Sequence, residues 1–428
     1  MTEPMTTTTS NLVTQLSAGE PEWLKAKREA AWEKYSALPS PRLEKTDLTK
    51  RGWEIESLPE RAAETMADDT KHLFNALQDA PVVLVRDGFV EKMTGQDELA
   101  EKGVILMDLA SAIQNHEDLV KQHLGSVVSA DESKWTAVNT AIWRNGLFLY
   151  VPRHVVLEQP VHFIYEESGE ANGAFPRALV IAEEDSQVTY IENYITNGSR
   201  SSGRVHSAVL EVVAKADAKV TVVSTTQFTK GPTNYSVRKA SLGKDASVNW
   251  VVGDIGDGFT VATVESLLKG NGSRSTAKGV GLGYGRQHLD LTASMVHSGR
   301  FSESDIVMHG VLREKANSLY RTATRIERGA AGASSEQYDR MLMLSSASQA
   351  DAIPMLLIDE NDVQRCGHAA SVGKIDEAQV YYLMSRGIPE ATATKMIVWG
   401  YLYPTVEAVP SAQVRDWLIN CIDRELAK

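Results

Sequence analysis

The central part of the chain, residues 136–344, is a long succession of short segments in which apolar and polar side chains alternate. Valine, threonine and isoleucine dominate these segments, and β-branched side chains fit the pleated surface of a strand. Clear examples lie at residues 178–182, 188–193, 208–213, 219–224 and 247–252. A period of two predicts strands, and no helix of ten or more residues is predicted between them.

A turn signature recurs between these predicted strands. Asp185, Asp217 and Asp245 each begin a four-residue Asp-x-x-Val sequence, and they are separated by 32 and 28 residues. A weaker copy, Asn-Gly-Ser, follows at residues 271–273. Self-similarity with a period of 20–50 residues is typical of solenoids and propellers. Because each repeat holds two or three short strands, a β-helix is favoured over a propeller, whose blades need four strands.

The two ends of the chain show the helical period instead. Amphipathic helices are predicted at residues 20–38, 59–80, 375–385, 390–402 and 410–428, and short strands at residues 82–86 and 104–109. The sequence therefore predicts four zones. They are a disordered leader at 1–20, an N-terminal helical region with a few strands at 21–135, a β-helix core at 136–344, and a mostly helical C-terminal region at 345–428.

Composition narrows the class of protein. The chain has 428 residues and a formal net charge of -12, without a dense Lys/Arg cluster, which argues against nucleic-acid binding and against acidic membrane surfaces. The first 20 residues contain no basic residue and no apolar core, so they do not resemble a signal peptide. The apolar runs are too short to cross a bilayer. With only two cysteines, a disulfide framework is not expected, and the cytoplasm is the predicted compartment.

Common catalytic motifs are missing from the sequence. Gly243 and Lys244 are followed by Asp245, which lacks the hydroxyl that a P-loop requires at that position. The glycines at 279, 281, 283 and 285 alternate with other residues, and this predicts a strand or tight coil with one small face. No H-E-x-x-H, C-x-x-C or G-x-S-x-G is present. We therefore expect neither a nucleotide site nor a standard hydrolase site in this chain.

Candidate metal ligands concentrate in residues 359–368. Cys366 and His368 are two residues apart, so a strand would place both on one face, and sulfur and imidazole ligands suit iron–sulfur clusters, zinc or copper. Two ligands cannot close a tetrahedral site. Either another chain completes the site, or Cys366 is a packed apolar residue and His368 a hydrogen-bonded turn residue. Cys421 falls on the apolar stripe of the last predicted helix and is expected in the core.

The C-terminal third resembles the SufD branch of the SufB/SufD superfamily of iron–sulfur cluster assembly proteins. The resemblance is carried by RMLMLS at 340–345, ADAIP at 350–354, DV at 362–363, CGHAASVGKID at 366–376 and YYLMSRGI at 381–388. PEWL at 21–24 and LP at 38–39 are similar to the N-terminal helix of the family. Gly367 and Ala369 replace the usual Ser and Gly, and these departures leave Cys366 and His368 in place.

The resemblance implies a mainly β fold, a right-handed parallel β-helix core with α-helical N-terminal and C-terminal regions. It implies a non-catalytic scaffold that pairs with SufB through the β-helix ends and docks the SufC ATPase. The C-terminal helices are the predicted docking site for SufC, because they carry more aromatic residues than a three-helix cap needs to bury, namely Tyr381, Tyr382, Trp399, Tyr401 and Trp417. A transient iron–sulfur cluster would be shared with the partner, with His368 and then Cys366 as metal ligands in this chain. Alternatives are a structural partner without metal contact and a carbohydrate-active β-helix enzyme. A homodimer of the isolated chain stays open.

Overall fold

The computed structural model describes residues 12–49, 55, 57–169, 171–196, 203–228, 232–256 and 258–427. Residues 1–11 of the predicted leader lie outside this range. The rest of that segment is described, and Val13 is buried in an apolar cluster with Leu24 and Trp143.

Strands dominate the structure, at 42% of the residues. Their bounds are β1 (Val82–Arg86), β2 (Phe89–Thr94), β3 (Ile105–Asp108), β4 (Gly146–Val151), β5 (Val161–Glu167), β6 (Gly173–Ala174), β7 (Arg177–Ala182), β8 (Gln187–Thr196), β9 (Val205–His206), β10 (Val209–Ala214), β11 (Lys219–Gln227), β12 (Thr233–Leu242), β13 (Ser247–Ile255), β14 (Phe259–Leu268), β15 (Arg274–Gly283), β16 (His288–His297), β17 (Glu303–Leu312), β18 (Asn317–Ile326), β19 (Ala333–Met343), β20 (Gln349–Ile358) and β21 (Val363–Lys374).

Helices occur before, beside and after the strands. Their bounds are α1 (Glu22–Ala37), α2 (Asp68–Ala76), α3 (Gln96–Ala100), α4 (Leu109–Asn115), α5 (Glu117–His123), α6 (Lys134–Ile142), α7 (Glu377–Ser385), α8 (Glu390–Val406) and α9 (Ala412–Leu426). Among the residues that the structure describes in the zone predicted to be free of long helices, only α6, which has nine residues, is an α-helix.

The chain winds into a β-solenoid of about 8 turns with two sheets that are parallel except for one antiparallel pair at the end of each. In the regular part each turn gives one strand to each sheet, so that β11, β13, β15, β17, β19 and β21 are neighbours in one and β10, β12, β14, β16, β18 and β20 in the other. All of these pairs are parallel. The predicted β-helix is therefore confirmed, with two long strands in most turns.

The recurring aspartates form one corner of the solenoid. Asp185, Asp217 and Asp245 have φ angles of 54°, 57° and 54°, a left-handed conformation that Asp tolerates better than most residues. The backbone N–H of Asp185 donates to the carbonyl of Ala216 in the next turn at 3.0 Å, and that of Asp217 donates to Lys244 at 2.8 Å. The turn signature thus marks a stack of identical corners.

Gly279, Gly281 and Gly283 lie on one small face of β15, as their period of two predicted, and this face is directed into the solenoid; Gly285 lies in the following turn. A Cβ on Gly279 would meet the Met308 sulfur at 2.4 Å, and one on Gly281 would meet the Tyr320 hydroxyl at 2.6 Å. The small face therefore makes room for large side chains of the neighbouring strands.

Helices cover the outer faces of both sheets. Helices α1 and α6 lie over the sheet that contains β7 and β10, with Trp135 stacked on Tyr235. The buried Arg28 guanidinium donates to the carbonyls of Ala141 and Trp143 at 3.1 and 2.9 Å. Helices α2, α8 and α9 cover the other sheet, where Val398, Leu402 and Leu418 join a cluster with Val251.

The strands extend beyond the boundary at Leu344 that the sequence suggested. β20 and β21 add two strands to the sheets, and the C-terminal helices begin only with α7 at Glu377. The last two strands were harder to predict because they contain Pro354, Gly367 and Gly373 and their apolar and polar residues do not alternate clearly.

Candidate functional site

The solenoid ends in two edge strands. Within the described residues, β20 pairs only with β18, and β21 pairs only with β19. Parallel in-register pairing puts opposed residues on the same face, so the inward side chains of the last turn can be assigned from their buried neighbours. We call these inward residues the mouth: Ala352, Pro354, Leu356 and Ile358 on β20, and Cys366, His368, Ala370 and Val372 on β21.

Cys366 and His368 share this inward face, because they lie opposite the buried residues Ser335 and Gln337. His368 is exposed and lies within a strand, so the interpretation of it as a turn residue is wrong. Nothing covers the mouth within the described chain. The spacing of two residues therefore brings the two candidate ligands to one open face, as a strand requires.

The environment of Cys366 favours the thiol over the thiolate. Cys366 is half-buried and packs with Val363 against the small cluster of Ile326, Ala330 and Ala333. Burial raises the pKa of its thiol, and the Glu336 carboxylate raises it further. A thiolate is the form that binds metals, so Cys366 is the weaker of the two candidate ligands.

Two polar side chains form the floor of the mouth. Gln337 and Asp339 are inward and fully buried on β19. Thr322 donates to Asp339 Oδ2 at 2.6 Å, and Gln337 Nε2 donates to Thr324 at 2.6 Å. Burial raises the pKa of Asp339 to about 6, while the Thr322 hydrogen bond and the nearby His368 lower it.

The carboxylate of Glu360, in the loop between β20 and β21, is engaged by backbone N–H groups. Glu360 accepts backbone hydrogen bonds from Gly329 at 2.7 Å and from Asn361 and Asp362 at 2.8 and 3.1 Å. Asp339 interacts electrostatically with His368, and nothing in the pattern of the sequence marked it. Among the residues that the structure describes, no group of three or more His, Cys, Asp or Glu side chains could hold a metal ion.

A second polar cluster lies deeper in the solenoid. Glu192 is fully buried and accepts from Arg238 Nε at 2.7 Å and from Ser224 at 2.6 Å. Burial raises the pKa of the neighbouring Asp254 to about 7, although Arg238 and Thr260 lower it. The alternation of apolar and polar residues could not predict this cluster. Polar residues in an alternating strand are normally assigned to the face that contacts solvent.

The raised pKa of Asp254 predicts a pH-dependent stability. The free energy of unfolding is highest below the unfolded pKa near 4 and falls as the pH rises through about 7, because the folded protein resists ionising the buried carboxyl. Asp254→Asn is therefore expected to be more stable than the wild type by about 2 kcal/mol at pH 8.5, with little gain at pH 4. Urea unfolding of both proteins at several pH values measures this. If the gain in the free energy of unfolding were the same at every pH, the raised pKa of Asp254 would be contradicted.

An exposed aromatic patch lies on α7, directly after the mouth. Tyr381 and Tyr382 are 73% and 57% exposed. The other predicted interface aromatics are less available, since Trp399 donates to Asp423 at 2.7 Å, Tyr401 lies 5.3 Å from the His309 ring and Trp417 is buried. We call Tyr381, Tyr382 and the exposed Met384 the α7 patch.

The second cysteine lies in the core, as its helical position predicted. Cys421 is buried in the cluster under α8 and α9, and burial raises the pKa of its thiol to about 12. No helix in the described ranges is long and apolar enough to cross a membrane.

Comparison with known proteins assigns the family. Residues 163–401 match the model of the SUF system FeS cluster assembly SufBD core domain, and residues 10–163 match that of the SufBD protein N-terminal region. The chain belongs to the SufBD family. The SufBD core match begins at β5 and includes all of the mouth and the α7 patch.

Relatives of this SufBD protein cover nearly its whole length. It is 36% identical over 416 residues to the iron–sulfur cluster assembly protein SufD of Bacillus subtilis, covering 95% of each chain. It is 30% identical over 422 residues to an iron–sulfur cluster assembly SufBD family protein of Staphylococcus epidermidis, covering 94% of this chain and 90% of the relative. The resemblance found in the sequence is therefore confirmed, and the SufBD protein is a component of iron–sulfur cluster assembly.

Proposed function

We propose that this chain is a non-catalytic scaffold subunit of a cytoplasmic iron–sulfur assembly complex. It pairs with SufB through the mouth and docks the SufC ATPase on the α7 patch. The observation that carries the proposal is the open mouth, where two unpaired strand edges and His368 occur together.

Strand edges and apolar side chains support pairing at the mouth. β20 and β21 present backbone groups that lack a neighbouring strand among the described residues, and such edges are templates for another β-structure. Met355, Leu357, Ile358 and Val372 are exposed beside them. Exposed apolar residues grouped at an unpaired edge are typical of protein interfaces. A SufB β-helix that continues the solenoid would cover both features.

A shared site at this interface explains the incomplete ligand set. The cluster is cargo that must be held and then released, and His368 supplies one nitrogen to it. Histidine replaces cysteine at some cluster irons. SufB supplies the main thiolates, and Cys366 is at most an additional ligand because its thiol is packed and its pKa is raised.

Energy from nucleotide hydrolysis would come from SufC. The sequence of this chain has no P-loop, so ATP chemistry belongs on a partner. The α7 patch follows the mouth after only a few residues. Movement of a docked ATPase would therefore reach the shared site over a short distance.

Substitution of Ile358 tests pairing at the mouth. Ile358 is an inward residue of the mouth, opposite the buried Ile326, and it is 44% exposed at the end of β20, so Ile358→Asp should leave folding intact. A carboxylate buried without a partner in the interface should weaken pairing with SufB at least about tenfold. Co-purification and sedimentation velocity of the co-expressed proteins measure this.

The matched control is Val156→Asp. Val156 is 52% exposed and lies near the opposite end of the solenoid, beside β8. Pairing should survive this change. Equal pairing by both variants would contradict the interface, and binding of a second copy of this chain in place of SufB would identify the mouth as a homodimer surface.

A further inference from the structure

The floor of the mouth contains two hydrogen-bond acceptors without donors. Asp339 Oδ1 and Gln337 Oε1 are both buried, and neither has a partner among the described residues. The other oxygen of Asp339 is fixed by Thr322, and the amide nitrogen of Gln337 is fixed by Thr324. Leaving a buried acceptor unpaired costs about 1–3 kcal/mol. A hydrogen-bond donor in the mouth that reached either oxygen would remove this cost.

The strand register places His368 next to these acceptors. His368 lies opposite Gln337, and Asp339 is the next inward residue of β19. Neighbouring strands are about 4.8 Å apart and two residues along a parallel strand rise about 6.6 Å, so these diagonal positions are roughly 8 Å apart, a distance that the two side chains can span. The His368 ring is exposed and makes no hydrogen bond within the described chain, so its χ angles can turn towards the floor.

We propose that Asp339 is a positioning residue for His368, accepting one ring N–H through Oδ1 and leaving the other ring nitrogen unprotonated towards the open side of the mouth. This inference rests on the proposed ligand role of His368. Metal-binding histidines usually donate their second nitrogen to a carboxylate or carbonyl, which fixes the tautomer and the ring orientation. The Thr322 hydrogen bond holds Asp339 in the matching orientation.

Asp339→Asn is the sharpest substitution. The asparagine keeps the shape and can still accept from Thr322, but it then presents an NH₂ donor where His368 needs an acceptor. The tautomer of His368 should therefore reverse or become mixed. The matched control is Asp254→Asn, another buried inward carboxyl in the same solenoid that lies away from the mouth.

The first measurement does not require a bound iron–sulfur cluster. Nitrogen-15 histidine NMR of the full chain at pH 8, with the His368 signals assigned through His368→Ala, reports the two ring nitrogens directly. One dominant tautomer is expected in the wild type and in Asp254→Asn, and a different population in Asp339→Asn. An unchanged His368 signal in Asp339→Asn, or an equal change in Asp254→Asn, would overturn the proposal.

The second measurement uses the co-expressed complex. Asp339→Asn should lower the chelator concentration that removes half of the iron by about tenfold, in the range usual for residues behind a metal ligand. Lost iron with an unchanged tautomer would show that Asp339 contacts the metal itself and would refute the positioning role. If His368→Ala also retains its iron, the proposed ligand role fails, while the NMR result still decides whether Asp339 orients the ring.

Discussion

Replacement of His368 by alanine is expected to abolish most of the iron and acid-labile sulfide that co-purifies with the assembly complex. His368 is exposed on an edge strand, so the change should alter the free energy of unfolding by no more than about 0.5 kcal/mol. Pairing should persist, because the apolar edges of β20 and β21 are untouched. Anaerobic purification after co-expression with SufB and SufC, followed by iron and sulfide assays, measures the load.

Cys366→Ala is the matched substitution on the same face of the same strand. Its packing against Ile326 and Ala333 and the raised pKa of its thiol predict a weaker defect or none. A full cluster load in an intact His368→Ala complex would show that the chain is a structural partner without metal contact. A larger loss in Cys366→Ala than in His368→Ala would reverse the order of the two ligands.

The double substitution Tyr381→Ala and Tyr382→Ala is expected to abolish binding of SufC. Both rings are largely exposed on α7, and aromatic side chains are frequent anchors of interfaces, where each truncation can cost 2 kcal/mol or more. Together they should weaken binding by at least about a hundredfold, which a pull-down or calorimetry detects. Little stability should be lost, since neither ring is in the core.

Tyr403→Ala is the control for this patch. Tyr403 is exposed on α8, so it matches the chemistry of the change without altering α7. A truncation after Val372 would be harder to interpret than point substitutions. It would remove α8 and α9 and so expose apolar residues of the sheet such as Val251 and Leu282. Retained binding of SufC by the double variant would refute the docking site.

Much of the architecture could be predicted from local chemistry. The Asp residues at 185, 217 and 245 occupy left-handed corners, where short polar side chains are tolerated, and their spacing revealed the repeat. The glycines at 279 and 281 had to face a crowded interior, and their period of two was sufficient to predict a small face. The two ligand candidates were also found from sequence, because a spacing of two residues puts both on one face of a strand.

Other features depend on contacts that are distant in the sequence. The segment at 349–374 continues the solenoid because β18 and β19 offer edges to it, whereas its own pattern is weak. Neighbouring turns bury the interior carboxyls Asp254 and Asp339. The alternation of apolar and polar residues cannot show whether a polar side chain points inward or outward.

Periodicity, turn chemistry and a motif that stays together along the chain were sufficient to predict the fold class, the repeat and the family. The surroundings of each motif residue became clear only from the folded chain. It showed that Cys366 is packed and that His368 is open. It also placed Asp339, 29 positions before His368 in the chain, diagonally across from it on the neighbouring strand. The reason is physical, since burial and hydrogen-bond partners are set by strand register between turns about 30 residues apart.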